Sequence, residues 1–255
     1  MAPRRAPIVV RGRHTMCRVQ QWSFRPDVAQ IVLYHQRPLP TAADFRDWSG
    51  ELQAAGYTRL RTSAVATDVW RDLDAIGMHP VQELSLLEHD DPGSVTPGRS
   101  GLARLKNRPP RHRRTRTLRL TQRPDASRVD QSAFDEGWGL DDTAIHDVCT
   151  ATPHHRARWI AAADPAGARV MGGYAITGRD GTQGFLQRLA VDPAQQRQGI
   201  GRLLVIDSLH WLARRHAHRV LVNTPTHNAP ALALYDSLGF RLISERLRVY
   251  EQVLA

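Results

Sequence analysis

From Thr115 onward, apolar positions switch between the strand period of two and the helix period of 3.6. Thr115–Gln122 sets Leu118 and Leu120 among polar residues and reads as a strand. Asp125–Trp138 reads as a helix with Asp125 near its cap. Arg156–Ala163, Arg169–Thr177 and Gly184–Val191 read as three strands. Asp164-Pro-Ala-Gly and Gly178-Arg-Asp-Gly supply the turns of an antiparallel meander. The helix that follows carries Leu203, Leu204, Ile206 and Trp211 on or beside one stripe, with Asp207 and Arg214 at polar positions. His218–Asn223 reads as a buried strand. Asn228 suits an N-cap and Pro230 the first turn of another helix. Ala231, Leu234, Tyr235 and Leu238 share a face of that helix. Gly239 suits its left-handed end, and Leu242–Leu254 reads as the last strand.

The first ninety residues carry a fainter version of this order. Asp44–Ala55 reads as a helix and Tyr57–Ala64 as a strand. Val69–Met78 reads as a helix with Gly77 near its end, and Val81–Glu88 as a return strand. Gly77 and Gly239 differ by 162 positions, and the same offset pairs Ile76 with Leu238, Met78 with Phe240 and Leu73 with Tyr235. Residues 1–90 therefore read as a degenerate, shortened copy of the C-terminal unit, against the alternative of an unrelated α+β extension. A chain of 255 residues leaves room for both, since a unit of this type needs only ~140–150. The expected organisation is 1–90, a linker over 91–114, and a catalytic unit over 115–255.

The chemistry concentrates at Leu189-Ala-Val-Asp-Pro-Ala-Gln-Gln-Arg-Gln-Gly-Ile-Gly201. An apolar strand meets a turn and then a helix start, which gathers backbone N–H groups for phosphate oxygens. Gly199 and Gly201 let the main chain approach a ligand. The spacing fits neither a Walker loop nor a dinucleotide fingerprint.

Gln-x-x-Gly-x-Gly followed by Asn-x-x-Ala-x-x-Leu-Tyr-x-x-x-Gly-Phe resembles the acetyl-coenzyme A acyltransferases of the GNAT superfamily. Within it, Leu189–Phe240 is most similar to the protein N-terminal alanine type. The resemblance spans about residues 115–255. It implies an α/β fold of the α+β kind: a mixed, mostly antiparallel sheet flanked by helices. It implies that Gln196, Arg197, Gln198, Gly199, Ile200, Gly201 and Arg202 receive the pyrophosphate, with Asn228 also on the cofactor side. Leu189, Ala190 and Val191 would pair with the pantetheine arm, one N–H polarising the thioester carbonyl. Tyr235 matches the general acid, which would hydrogen-bond to or protonate the leaving thiolate. The N-terminal acetyltransferases carry a basic glutamate at the position of Asn223, which cannot take a proton. That departure leaves the base open, with Glu136, Asp141, His146, His154 and His155 as candidates by region. Residues 135–147 hold five carboxylates and no Lys or Arg, which suits either a cationic acceptor or a solvated helix start.

Charge is local. Arg99–Arg123 holds ten Lys and Arg residues and no acid, equal to the whole net charge of +10. Residues 1–26 add six arginines without an acid. The first stretch offers phosphate contacts to nucleic acid or the ribosome, but it has no aromatic residue for base stacking. A solvated linker is the favoured reading. Two cysteines, Cys17 and Cys149, build neither a disulfide framework nor a zinc cluster, and no apolar run reaches spanning length. Cytoplasm is the expected compartment, and no metal or membrane partner is expected. The expected activity is acetyl transfer from acetyl-coenzyme A to a primary amine of a small molecule or a protein, by direct attack. The alternative is a non-catalytic acyl-coenzyme A sensor, or a binder of nucleic acid or protein, on the same fold.

Overall fold

The computed structural model describes residues 5–12, 16–32, 41–95 and 114–254. Most of the basic stretch and of the 91–114 linker lies outside these residues. The chain forms two compact units. One takes the N-terminal segment up to Leu86, Asn223–Asn228 and the end from Ile243. The other takes Leu87–Val222 and Ala229–Leu242.

The first unit contains β1 (Ile8–Arg11), β2 (Met16–Trp22), β3 (Arg25–Val32), α1 (Ala42–Ala54), β4 (Arg59–Thr62), β5 (Val65–Ala66), α2 (Thr67–Ala75), most of β6 (His79–His89) and the end of the last strand, β12 (Arg241–Val253). β1–β2 and β2–β3 are antiparallel, β3–β4 is parallel, and β4 pairs antiparallel with β12 at Arg61–Glu251. Val10, Val19, Ile31, Phe45, Trp48, Leu52, Leu60 and Leu73 form its core with Tyr250. Thr41 and Asp44 close the start of α1 reciprocally, each side chain accepting from the other's backbone N–H. Asp44 is fully buried there. Gly77 follows α2 with φ 80°, so the glycine expected near the end of this helix takes the left-handed conformation.

The second unit contains β7 (Arg116–Thr117), α3 (Arg123–Ala133), α4 (Asp142–Thr150), β8 (His154–Ala163), β9 (Arg169–Asp180), β10 (Gln183–Val191), α5 (Ile200–Arg214), the first part of β11 (Arg219–Pro225) and α6 (Ala229–Asp236). Its strands run β11-β10-β9-β8-β7, antiparallel except for β10 beside β11. One face packs on α5 and α6 through Ile160, Leu186, Leu204, Val220 and Tyr235. The other packs on α3 and α4 through Val129, Ile145, Trp159, Tyr174 and Ala190.

Several elements differ from the sequence reading. The strand expected over Thr115–Gln122 shrinks to Arg116–Thr117, followed by a 3-10 turn at Leu120–Gln122. The helix expected to reach Trp138 stops at Ala133, because Phe134 is extended and Gly137 adopts φ 81°. Strands β1 to β3 were not foreseen as elements, and α4 only as a helix start within residues 135–147.

Candidate functional site

The loop between β10 and α5 is shaped by its own polar side chains. Asp192 accepts from the Ala194 N–H at 2.9 Å and starts a 3-10 turn over Pro193–Gln195. Gln195 is buried; it donates to the Ala163 carbonyl at 2.8 Å and accepts from Gln198 Nε2 at 3.1 Å. Arg197 and Gly199 both take positive φ, 62° and 78°. Gly199 is the N-cap, and no side chain fills its capping role. The first N–H to bond back is that of Leu203, to the Gly199 carbonyl. The N–H groups of Ile200, Gly201 and Arg202 therefore precede the intrahelical ladder and are open to an anion.

Glycines seat this helix start. A Cβ on Gly172 would meet Ile200 Cδ1 at 2.9 Å, and one on Gly173 would meet Ile200 Cγ2 at 3.0 Å. Ile200 thus sits in a slot on β9 that only glycine leaves open. A Cβ on Gly201 would lie 3.2 Å from Leu234 Cδ2, which marks the close approach of α6.

β10 pairs with β9 from Gln183 to Val191, but with β11 only over Gln183–Phe185. The edge of Leu189–Val191 that faces β11 thus carries no ladder from it. A bulge between Leu186 and Arg188 also re-aims the strand. Leu186 belongs to the α5 face, whereas Arg188 turns towards α3.

There Arg188 meets Asp130, which is 0% exposed. Its Nε and Nη2 donate to the carboxylate at 2.9 and 2.5 Å, and Nη2 also donates to the Trp138 carbonyl at 2.9 Å. Asp130 further accepts from the Tyr174 hydroxyl at 2.5 Å and from the Leu140 N–H at 2.7 Å. The guanidinium lies 3.4 Å from the Phe134 ring centroid. Burial first, and then the Asp130 charge, push the Tyr174 phenol well above its ordinary value. Burial works against the Arg188 charge, but the bonds to Asp130 outweigh it and raise its pKa.

Tyr235 is 4% exposed in the same apolar cluster as Ile200, with Leu189 and Val191 packed against that cluster. Its ring lies 5.5 Å from that of Phe240. Burial alone pushes its phenol above the ordinary range. Gly239 takes φ 89° at the end of α6, as expected. His89 supports that end: its Nε2 lies 3.1 Å from the Leu238 carbonyl, and its Nδ1 accepts from the Asp91 N–H at 3.2 Å. Acceptance at Nδ1 assigns a neutral ring with the proton on Nε2. Burial leads in lowering the His89 pKa. The folded state therefore disfavours protonation, and this contribution is complete above the unfolded value near ~6.5. It is lost as pH falls below that, at up to ~1.4 kcal/mol per pH unit until the folded value is reached. His89→Gln should flatten the stability profile below about pH 6.5 in denaturant titrations.

The structure gathers Leu189, Val191, Ile200 and Tyr235 in one cluster but not the candidate bases. Asp141 accepts from the Ala144 N–H as the cap of α4, and His146 Nδ1 lies 3.0 Å from Arg123 Nη2. Glu136 is exposed on the α3–α4 side. His154 and His155 are exposed at the start of β8, opposite Arg179 and Gly178. Arg158 pairs with Ala175, and Ala175 with Leu189, so His155 is three residues and two strands from Leu189. Asn223 is exposed on β11, and Asn228 follows a turn whose N–H bonds to the Pro225 carbonyl at 2.9 Å. Sequence reasoning missed Asp130, Tyr174 and Arg188. The available signal was a carboxylate at an inward position of α3, between Val129 and Ala133. No group of three His, Cys, Asp or Glu suited to a metal occurs among the described residues, nor does a helix long and apolar enough to cross a membrane.

Comparison with known proteins shows which sequences and folds this chain resembles. The acetyltransferase (GNAT) family pattern matches residues 122–240. A [ribosomal protein bS18]-alanine N-acetyltransferase of Escherichia coli K12 is 38% identical over 80 residues, 31% of this chain and 54% of that protein. A mycothiol acetyltransferase of Thermomonospora curvata is 30% identical over 168 residues, 63% of this chain and 49% of its own. The chain thus spans about half the length of these two curated relatives. Among solved structures, a tandem GNAT protein from the clavulanic acid biosynthesis pathway superposes with TM-score 0.62 at 16% identity, over 94% of this chain and 79% of its own. A GCN5-related N-acetyltransferase from Kribbella flavida gives 0.61 at 13% identity, over 96% and 89%. At these identities the two structures establish the fold: a mixed, mostly antiparallel sheet flanked by helices.

Proposed function

We propose that this protein transfers acetyl from acetyl-coenzyme A directly to a primary amine, a reading supported by the match of residues 122–240 to the acetyltransferase (GNAT) family. The observation that carries the reading is the helix start at Gly199–Arg202. Its free N–H groups, its left-handed glycine and the unpaired edge of Leu189–Val191 lie in one continuous stretch of chain. Phosphates suit those N–H groups, and an amide-bearing arm suits the open strand edge. Gln196, Arg197 and Gln198 complete the loop, and Arg202 adds a cation whose Nη1 donates to Ser237 Oγ at 3.2 Å.

Acetyl-coenzyme A supplies an activated carbonyl and a thiolate leaving group. The chain supplies two things around it. A backbone N–H of the Leu189–Val191 strand polarises the carbonyl oxygen. Tyr235 donates a hydrogen bond towards the sulfur. A thiol has a pKa near ~8.5, so complete proton transfer from a phenol raised above ~10 runs uphill. Tyr235 therefore acts mainly by hydrogen-bond donation, a narrower role than full protonation. Asn223 takes no proton, and the amine proton passes to solvent.

The N-terminal unit supports the catalytic one without binding a second cofactor. Its α1 begins on the buried Asp44 carboxylate, which accepts from the Thr41 N–H and places negative charge at the helix start, where it would repel a phosphate. Leu73, fully buried, stands where the copy reading aligns Tyr235. The acceptor is an amine of a small molecule or of a protein.

Thiol release from acetyl-coenzyme A should accelerate when a panel of free-amine peptides, polyamines and amino sugars is added. A mass gain of one acetyl group on the amine should accompany it. Tight cofactor binding with no turnover on any amine would instead indicate an acyl-coenzyme A sensor.

A further inference from the structure

The bulge on β10 turns Arg188 into a position that the transfer chemistry does not require. Arg188 immediately precedes Leu189, yet its side chain leaves the cofactor edge and runs to the α3 side. With Asp130 it holds the irregular segment 134–140 at three points. These are the Phe134 ring under the guanidinium, the Trp138 carbonyl on Nη2 and the Leu140 N–H on the carboxylate. That segment has no helix or strand of its own, and Gly137 within it takes φ 81°. A buried ion pair gives little net stability over an apolar pair of equal volume. Its geometry here instead fixes a loop against one strand.

We propose that Arg188 and Asp130 are positioning residues, which clamp segment 134–140 as a wall beside the Leu189–Val191 strand and keep water from the bound thioester. The proposal rests on the acetyltransferase reading above. Without the wall, water replaces the amine as nucleophile. Its oxygen adds to the carbonyl carbon and the C–S bond breaks. Acetate leaves with that oxygen, while one proton goes to sulfur and one to solvent.

The test uses the full chain in three forms: wild type, Arg188→Lys, and the paired Asp130→Leu/Arg188→Met. The pair removes both charges together, so the fold should persist, but it cannot bond to Trp138 or Leu140. Hydrogen exchange of peptides covering 134–140 should quicken about tenfold or more in the pair, with the rest of the unit unchanged. Calorimetry should give an acetyl-coenzyme A affinity within about threefold of wild type. Thiol release in the absence of any amine should rise about fivefold or more, because the site no longer excludes water. Arg188→Lys, with a charge but no fork, should lie between the two. Unchanged exchange, or faster exchange with unchanged or slower hydrolysis, overturns the proposal. A wild type that does not bind acetyl-coenzyme A overturns the acetyltransferase reading itself, and is recognised by that titration alone.

Discussion

Tyr235→Phe is expected to lower kcat for acetyl transfer by roughly 10²–10³-fold, the cost of one preorganised donor at a site of developing charge. The ring and its packing against Phe240 remain, since the two centroids lie 5.5 Å apart and phenylalanine keeps the shape. Only the hydroxyl is lost. The effect should therefore fall on kcat, with acetyl-coenzyme A affinity nearly unchanged. Stopped-time assays on the amine found by screening, with cofactor affinity measured separately, would check it. Equal activity in the variant would assign Tyr235 to core packing, which its burial alone would also explain.

The second large effect is on stability. Asp130→Ala leaves the Arg188 charge without its partner beneath the sheet and removes the acceptor for Tyr174 and Leu140. Removing one side of a buried pair costs about 3–5 kcal/mol. In a unit of this size that lowers Tm by roughly 6–20 °C. The paired Asp130→Leu/Arg188→Met change should recover most of the loss, because no isolated charge remains. Thermal unfolding of the three proteins decides this. A pair as unstable as the single variant would mean that packing at 130, rather than charge, controls the fold.

Local chemistry was legible in the sequence where one residue type has one physical use. Gly239 was read as a left-handed helix end and Gly77 as a glycine near a helix end, and their φ values are 89° and 80°. The meander and the loop before α5 were also legible, because turns and period-two runs bound them. The bulge at Leu186–Arg188 was not, since one extra residue leaves no compositional mark. Without it Arg188 reads as a solvated charge on a strand, and its partnership with Asp130 stays hidden. β2 does alternate Cys17 and Val19 inward with Arg18 outward, yet the arginine-rich context draws attention to charge instead. Long-range pairings such as Arg61 with Glu251, 2.5 Å apart, have no local signature at all.

The candidate site divides the same way. The loop before α5 and Tyr235 follow from spacing and from resemblance, and the structure places Ile200 and Tyr235 in one apolar cluster with Leu189 and Val191 packed on it. The candidate bases followed from sequence region only. Two of them turn out to have local partners: Asp141 caps α4 and His146 meets Arg123.

The start of α5 is proposed to receive the phosphates of acetyl-coenzyme A. Calorimetric titration with acetyl-coenzyme A, on wild type and on Gly199→Glu, tests it most directly. Apart from its own chain neighbours, nothing lies within 4 Å of a Cβ built on Gly199, so the variant has room, although φ 78° carries a strain of about 1–2 kcal/mol. Its carboxylate stands at the N–H groups that should hold the phosphates. Wild type should bind with micromolar affinity, and the variant should lose at least about 100-fold, roughly 2.7 kcal/mol. Equal binding by both proteins, or none by wild type, would contradict it.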